Sequence, residues 1–151
     1  MDELFDKVSG DIKTAMLARD KVALEALRGM KKEFLDAKTA KGSDGHLADD
    51  VAIKIIQKMI KQRKESAQIY SEQSRPDLAE TELAEAAVIE RYLPVQMTDE
   101  ELEAAISIII VELNATGMQD LGKVMGVASK QLAGKTEGKL ISEKVKSLLT
   151  N

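Results

Sequence analysis

The organisation of the chain is set by a ten-residue segment, Tyr92-Leu-Pro-Val-Gln-Met-Thr-Asp-Glu-Glu101. A residue that precedes proline is pushed out of the helical region, so a helix must end before Pro94. Thr98-Asp-Glu-Glu101 is a capping box, in which the threonine hydroxyl and the glutamate carboxylate satisfy free amides at a helix start. A helix end followed closely by a helix start predicts a boundary between two domains, 1–93 and 94–151.

Upstream of this segment, apolar residues recur at spacings of three and four, which predicts a bundle of about four amphipathic helices. Two glycines and two turn formers in 42–47 leave no helical period, so we expect a flexible loop there. The predicted helices are a first over about residues 2–19 with Asp2 as its cap, a second ending near Gly42, a third starting at Asp49, and a fourth with Pro76 in its first turn.

Downstream of the capping box, the run Ile106–Val111 is rich in β-branched residues and by itself would suggest a strand. We favour a helix, because a cap precedes the run and Asn114-Ala-Thr-Gly117 supplies a stop. Two amphipathic segments follow, 121–132 and 140–149, joined by a Gly-Lys-Thr-Glu-Gly connection. The sequence therefore predicts an all-α fold, with a small three-helix domain after the N-terminal bundle.

The composition excludes several classes of site. The chain has no cysteine, which rules out disulfides, thiolate catalysis and sulfur-ligated zinc, and fits a cytoplasmic protein. A membrane span needs about 20 apolar residues, and the most apolar run, 104–111, is far shorter. We therefore expect a cytoplasmic protein with no membrane partner.

Charge is distributed unevenly along the chain. The net charge of -4 argues against a protein that coats nucleic acid indiscriminately, because such binding needs a large basic excess. From Ala115 to the C-terminus, however, six lysines stand against three acids, whereas 97–114 contains no basic residue. The last two helices are therefore predicted to present lysines.

Candidate catalytic groups are sparse. The one histidine, His46, lies in the glycine-containing loop and is interpreted as a solvated residue. Gly134-Lys-Thr resembles the end of a phosphate-binding loop, but Ser129 stands where that motif requires glycine. The basic run 58–64 is either a nucleic-acid surface or, as we favour, the solvated side of the third helix. We expect no enzyme activity, no metal and no cofactor.

Three motifs occur in an order and at separations that resemble the GatB/YqeY family: the Tyr92–Glu101 segment, Gly122-Lys-Val-Met-Gly126 and Gly134-Lys-Thr-Glu-Gly-Lys-Leu-Ile141. The resemblance spans the chain and indicates a free-standing YqeY-like protein. It implies an all-α fold. In this family the module forms the tail of the B subunit of the glutamyl/aspartyl-tRNA amidotransferase and is appended to some glutaminyl-tRNA synthetases, where it helps to hold the outer corner of tRNA.

The resemblance also implies a set of tRNA-binding residues in the C-terminal domain. Ala133 departs from the pattern, since members of the family often carry a basic residue there. Glycines would let a tRNA backbone come close, although Gly122 and Gly126 could equally allow tight helix packing. The candidate residues are Gly122, Lys123, Gly126, Lys130, Gly134, Lys135, Gly138 and Lys139.

The leading hypothesis is a non-catalytic, tRNA-binding accessory module related to tRNA-dependent amidation or aminoacylation. With no aromatic residue after Tyr92, it would contact tRNA by shape and phosphate backbone. The alternative is a protein-interaction module that docks on a synthetase, an amidotransferase complex or a ribosome-associated partner without touching RNA. Amidotransferase activity is disfavoured, because no nucleophile, metal site or ATP loop is visible.

Overall fold

The computed structural model describes residues 2–150, which form seven α-helices and one 3₁₀ turn, Met118–Asp120. No strand occurs within this range, so the predicted all-α fold is confirmed. The chain divides between Leu93 and Pro94 into two compact units. The helices are α1 (Glu3–Ala18), α2 (Lys21–Thr39), α3 (Asp49–Glu72), α4 (Pro76–Glu90), α5 (Asp99–Glu112), α6 (Leu121–Gln131) and α7 (Gly138–Thr150).

The N-terminal unit is a bundle of α1 to α4, in agreement with the predicted number of helices. Its core is apolar, and the largest side chains in it are fully buried. At 24 residues, α3 is the longest helix, and it packs most extensively on α4. The fully buried core side chains include Val8, Met30, Phe34, Ile56 and Ile89.

The loop before α3 is held against the bundle by hydrogen bonds that the sequence did not predict. Asp2 does stand at the start of α1, but its side chain makes no capping hydrogen bond. Instead its carboxylate accepts hydrogen bonds from the backbone amide of Leu47, at 2.9 Å, and from the ammonium of Lys38. Leu47 is only 2% exposed. The carboxylate thus fastens the end of the loop to the bundle.

The C-terminal unit packs α5, α6 and α7 around a second apolar core. The capping box is present: Thr98 Oγ1 accepts from the Glu101 amide at 3.1 Å, and Glu101 Oε1 accepts from the Thr98 amide at 3.3 Å. The β-branched run is helical as predicted, since Ile106 and Ile109 recur at helical spacing in the core. None of the helices in residues 2–150 is long and apolar enough to cross a bilayer.

Candidate nucleic-acid interface

The outer face of α6 is built from small residues and lysine. Gly122, Gly126 and Lys130 follow one another at intervals of four residues, which places them along one side of the helix. All three are exposed, whereas Val124 and Ala128 are fully buried on the opposite side. The sequence folds this way because only the second side carries apolar residues that can join the core.

No neighbouring side chain or backbone needs the glycines on this face. A Cβ atom built on Gly122, Gly126 or Gly138 meets no described atom of the C-terminal unit within 4 Å. The interpretation that Gly122 and Gly126 allow tight helix packing is therefore wrong for this unit. Glycine inside a helix is about 1 kcal/mol less favourable than alanine. The face thus carries a cost in stability that no internal contact explains.

The turn between α6 and α7 depends on Gly134. Its φ of +78° lies in the left-handed region, which glycine adopts without a steric penalty. The amide of Lys135 donates to the carbonyl of Leu132 at 3.0 Å and closes the turn. Gly134 itself is buried, so it shapes the turn, whereas Lys135 is exposed on it.

The segment after Pro94 holds this turn in place. Gln96 donates from Nε2 to the carbonyl of Gly134 at 3.0 Å, and the amide of Met97 donates to the carbonyl of Lys135 at 2.9 Å. These two bonds fix the backbone on both sides of the Lys135 side chain. Sequence reasoning missed Gln96, because its partner lies 38 residues away and no local pattern marks the pair.

The first amides of α7 lie beside the turn. The first helical hydrogen bond runs from the amide of Ile141 to the carbonyl of Glu137 at 3.2 Å. The amides of Gly138 and Lys139 precede it and have no carbonyl partner inside the helix. Helix N-termini of this kind favour anions. Gly138 and Lys139 are both exposed.

The lysines of the C-terminal unit differ in whether their side chains form salt bridges or hydrogen bonds. Lys130, Lys135 and Lys139 are exposed, and none forms a salt bridge or a side-chain hydrogen bond with residues 2–150. Lys123 instead donates from Nζ to the carbonyl of Leu113 at 3.1 Å. Lys144 is bound to Asp99 at 3.0 Å, and this hydrogen bond raises the pKa of its ammonium. These three unengaged lysines lie on the second half of α6, the turn and the start of α7, and Lys146, which is also exposed, lies toward the end of α7.

The second basic segment, 58–64, is largely neutralised. Arg63 lies 3.7 Å from Glu85, and Lys64 lies 2.9 Å from Glu90, both on α4. Burial raises the pKa of the Glu85 carboxyl, which the nearby Arg63 partly offsets. Arg63 and Lys64 thus already have acidic partners, which disfavours a nucleic-acid surface here, and Arg63 is itself only 20% exposed.

Within residues 2–150, His46 and the acidic side chains do not form a metal centre. The imidazole of His46 is 73% exposed. Across residues 2–150, no group of three or more histidine, aspartate or glutamate side chains is arranged to hold a metal ion. The candidate interface is therefore best described by its lysines, glycines and backbone amides.

Comparison with known proteins gives a match over nearly the whole chain. The model of the family described as "Yqey-like protein" matches residues 5–149. Three similar relatives are each named "Altered inheritance of mitochondria protein 41, mitochondrial". The protein of Meyerozyma guilliermondii is 38% identical over 93 residues, covering 61% of this chain and 47% of the relative. That of Clavispora lusitaniae is 30% identical over 132 residues, covering 85% and 74%. That of Pyrenophora tritici-repentis is 27% identical over 148 residues, covering 95% and 79%.

Two facts follow from these matches. The matched region spans less than half the length of the Meyerozyma guilliermondii protein, at 47%. The cytoplasmic location expected from the sequence is contradicted, because the relatives are named as mitochondrial proteins. That expectation rested on the absence of cysteine, which is compatible with more than one compartment.

Proposed function

Because this chain belongs to the Yqey-like protein family, we propose that it is a non-catalytic accessory module that binds tRNA through its C-terminal unit. The binding surface is the exposed side of α6 together with the turn and the start of α7. One observation carries the proposal: Gly122, Gly126 and Gly138 face open space, beside Lys130, Lys135 and Lys139, which form no salt bridge with residues 2–150.

The glycines and the lysines have complementary roles in this proposal. A helix face without side chains lets a phosphate backbone approach the main chain more closely than any other face could. The exposed lysines beside the glycines then neutralise the phosphates. They are Lys130, Lys135 and Lys139. The amides of Gly138 and Lys139, which have no carbonyl partner inside α7, add donors that favour an anion.

The same composition limits the kind of recognition. The C-terminal unit has no aromatic residue, so it cannot stack on unpaired bases. Recognition of a folded RNA by shape and backbone contacts remains, as in proteins that read the outside of an RNA helix. We propose that the ligand is therefore a structured tRNA rather than a single strand, in a process related to tRNA-dependent amidation or aminoacylation.

Binding of labelled total tRNA, followed by fluorescence anisotropy, tests the proposal. Three phosphate contacts predict an affinity that falls on the order of 40-fold when salt rises from about 50 to about 200 mM. Replacing Lys130, Lys135 and Lys139 together by glutamate should weaken binding at least about tenfold and abolish most of this salt dependence.

The matched control replaces Lys13, Lys41 and Lys54 by glutamate, which changes the net charge equally but alters exposed lysines of the N-terminal unit. We expect it to reduce affinity less than about twofold. The proposal is wrong if the wild type shows no saturable binding at low salt, or if both triple variants weaken binding equally. Glutamine-dependent amidation by the purified chain would contradict its non-catalytic part.

A further inference from the structure

The middle of α5, residues 104–111, is apolar on nearly every side, yet it is covered on only one. Leu102, Ile106 and Ile109 are buried in the core. On the opposite side, Ile108 is 59% and Val111 is 73% exposed. A helix that is apolar all round is normally buried all round. The outer face of α5 therefore lacks the contact that its composition favours.

The exposed residues form a single stripe. Ala104, Ile108 and Val111 are spaced by four and three residues, so they line one side of the helix. We call these three residues the α5 stripe. This is the spacing that a second helix uses when it packs along the first.

The α5 stripe has an acidic border. Glu100, Glu101 and Glu112 are exposed at its ends and edge, and the whole segment 97–114 contains no basic residue. Neither Glu100 nor Glu112 forms a salt bridge with any residue in 2–150. A border of carboxylates repels phosphates and anionic lipids and attracts lysine and arginine.

We propose that the α5 stripe is the docking site for an amphipathic helix of a partner protein, in which lysine or arginine flanks the apolar positions. The apolar stripe supplies the buried contact and the border selects the charge of the partner. The α5 stripe runs over about 10 Å of the helix, so it contacts about two turns of a partner helix. The site uses residues of α5 alone and does not depend on tRNA binding.

Contacts at both ends stabilise α5 in the unbound protein. The capping box fixes its first turn, and Lys144 bridges Asp99 there. At the other end, Lys123 donates to the carbonyl of Leu113. A surface that is already ordered loses little conformational entropy on binding.

Two peptides of about the length of α5 test the proposal on the full chain. Both carry leucines along one helical side, and the flanking positions hold lysine in one and glutamate in the other. We expect the lysine peptide to bind at least about tenfold more tightly, with NMR amide shifts concentrated in α5. Raising the salt should weaken its binding several-fold.

Variants separate the apolar and the charged contributions. Ile108→Gln with Val111→Gln should weaken binding of the lysine peptide at least about tenfold. Glutamine is uncharged, like the isoleucine and valine it replaces, so the net charge of the protein does not change. It is also a good helix former, so the fold should be retained. Leu17→Gln with Leu83→Gln is the matched control on exposed leucines of the N-terminal unit and should have no effect. Glu100→Lys with Glu112→Lys, which keeps the stripe, should weaken the same peptide several-fold.

Several outcomes would overturn the proposal. They are no saturable binding of the lysine peptide, equal binding of the glutamate peptide, and amide shifts that fall on α6 and α7 instead. Self-association of the wild type that is lost in the Ile108→Gln, Val111→Gln variant would also overturn it, because the occupant would then be a second copy of the chain.

Discussion

The Nζ atom of Lys123 lies 3.1 Å from the carbonyl oxygen of Leu113 and donates a hydrogen bond to it. Leu113 is the C-cap of α5, where carbonyls have no partner within the helix. A lysine side chain at a helix C-terminus satisfies such a carbonyl and complements the helix dipole. Among the candidate tRNA-binding lysines, Lys123 therefore has a structural task that Lys130, Lys135 and Lys139 do not share.

Replacing Lys123 by methionine should lower the free energy of unfolding of the C-terminal unit by about 0.5–1 kcal/mol, because an exposed cap interaction is lost. Urea unfolding measures this change. Lys130→Met, on the exposed side of α6, should change stability by less than about 0.3 kcal/mol. For tRNA affinity we expect the opposite order, so that Lys130→Met weakens binding more than Lys123→Met does. Equal stability of the two variants would contradict the capping role.

Gly126→Ala should raise stability and weaken tRNA binding at the same time. The new methyl group meets no described atom of its unit within 4 Å, so alanine gains about 1 kcal/mol of helix propensity. The same methyl group occupies the space into which a phosphate backbone is proposed to come. Thermal unfolding and tRNA titration of one protein sample measure both effects. An unchanged tRNA affinity in a more stable variant would show that the face is not approached closely.

Gly134→Ala should act in the opposite direction on stability. At a φ of +78°, an added Cβ clashes with the backbone, and the left-handed conformation costs an L-residue about 1–2 kcal/mol. The turn that carries Lys135 would shift with it, so we expect weaker tRNA binding as well. Gly134→Asn is the control, because asparagine tolerates this conformation better and should lose less stability. Equal stability losses in the two variants would contradict this explanation.

The sequence predicted those parts of the fold that have local signals. A proline in the first turn of α4 and the reciprocal pair Thr98 and Glu101 each act within a few residues, so they mark helix starts reliably. The partner of Gln96 could not be predicted in this way, since it lies 38 residues along the chain. Its choice depends on how α6 and α7 pack, which local propensity does not encode.

The candidate site was predicted in composition but not in detail. The charge balance marked all lysines after Ala115 alike, and the family resemblance selected Lys123, Lys130, Lys135 and Lys139 from them, but neither pattern shows which side chains are already engaged. In the structure Lys144 is bound to Asp99, whose position follows from the packing of α5 against α7. Exposure of a glycine face is equally invisible in the sequence, because Gly122 and Gly126 fit both a packed and an open helix.

Asp2 gives a test of electrostatics that depends on pH. Hydrogen bonds from the Leu47 amide and Lys38 hold the pKa of the Asp2 carboxyl below its usual value. A carboxylate with a lowered folded-state pKa adds stability above its unfolded pKa, and this stability is lost as the pH falls through the folded value. Asp2→Asn should therefore lower the unfolding midpoint at neutral pH, and the difference from wild type should shrink below about pH 4.

The control for Asp2 is Asp36→Asn. Asp36 also pairs with a lysine, Lys32 at 3.3 Å, but its side chain is 62% exposed, whereas that of Asp2 is 15% exposed. Solvent screens exposed pairs, so Asp36→Asn should leave the midpoint almost unchanged at every pH. The Leu47 amide provides a local readout, since its NMR shift should titrate with Asp2 in the wild type and not in Asp2→Asn. A Leu47 shift that stays constant through the acidic range would mean that the carboxylate does not hold the loop.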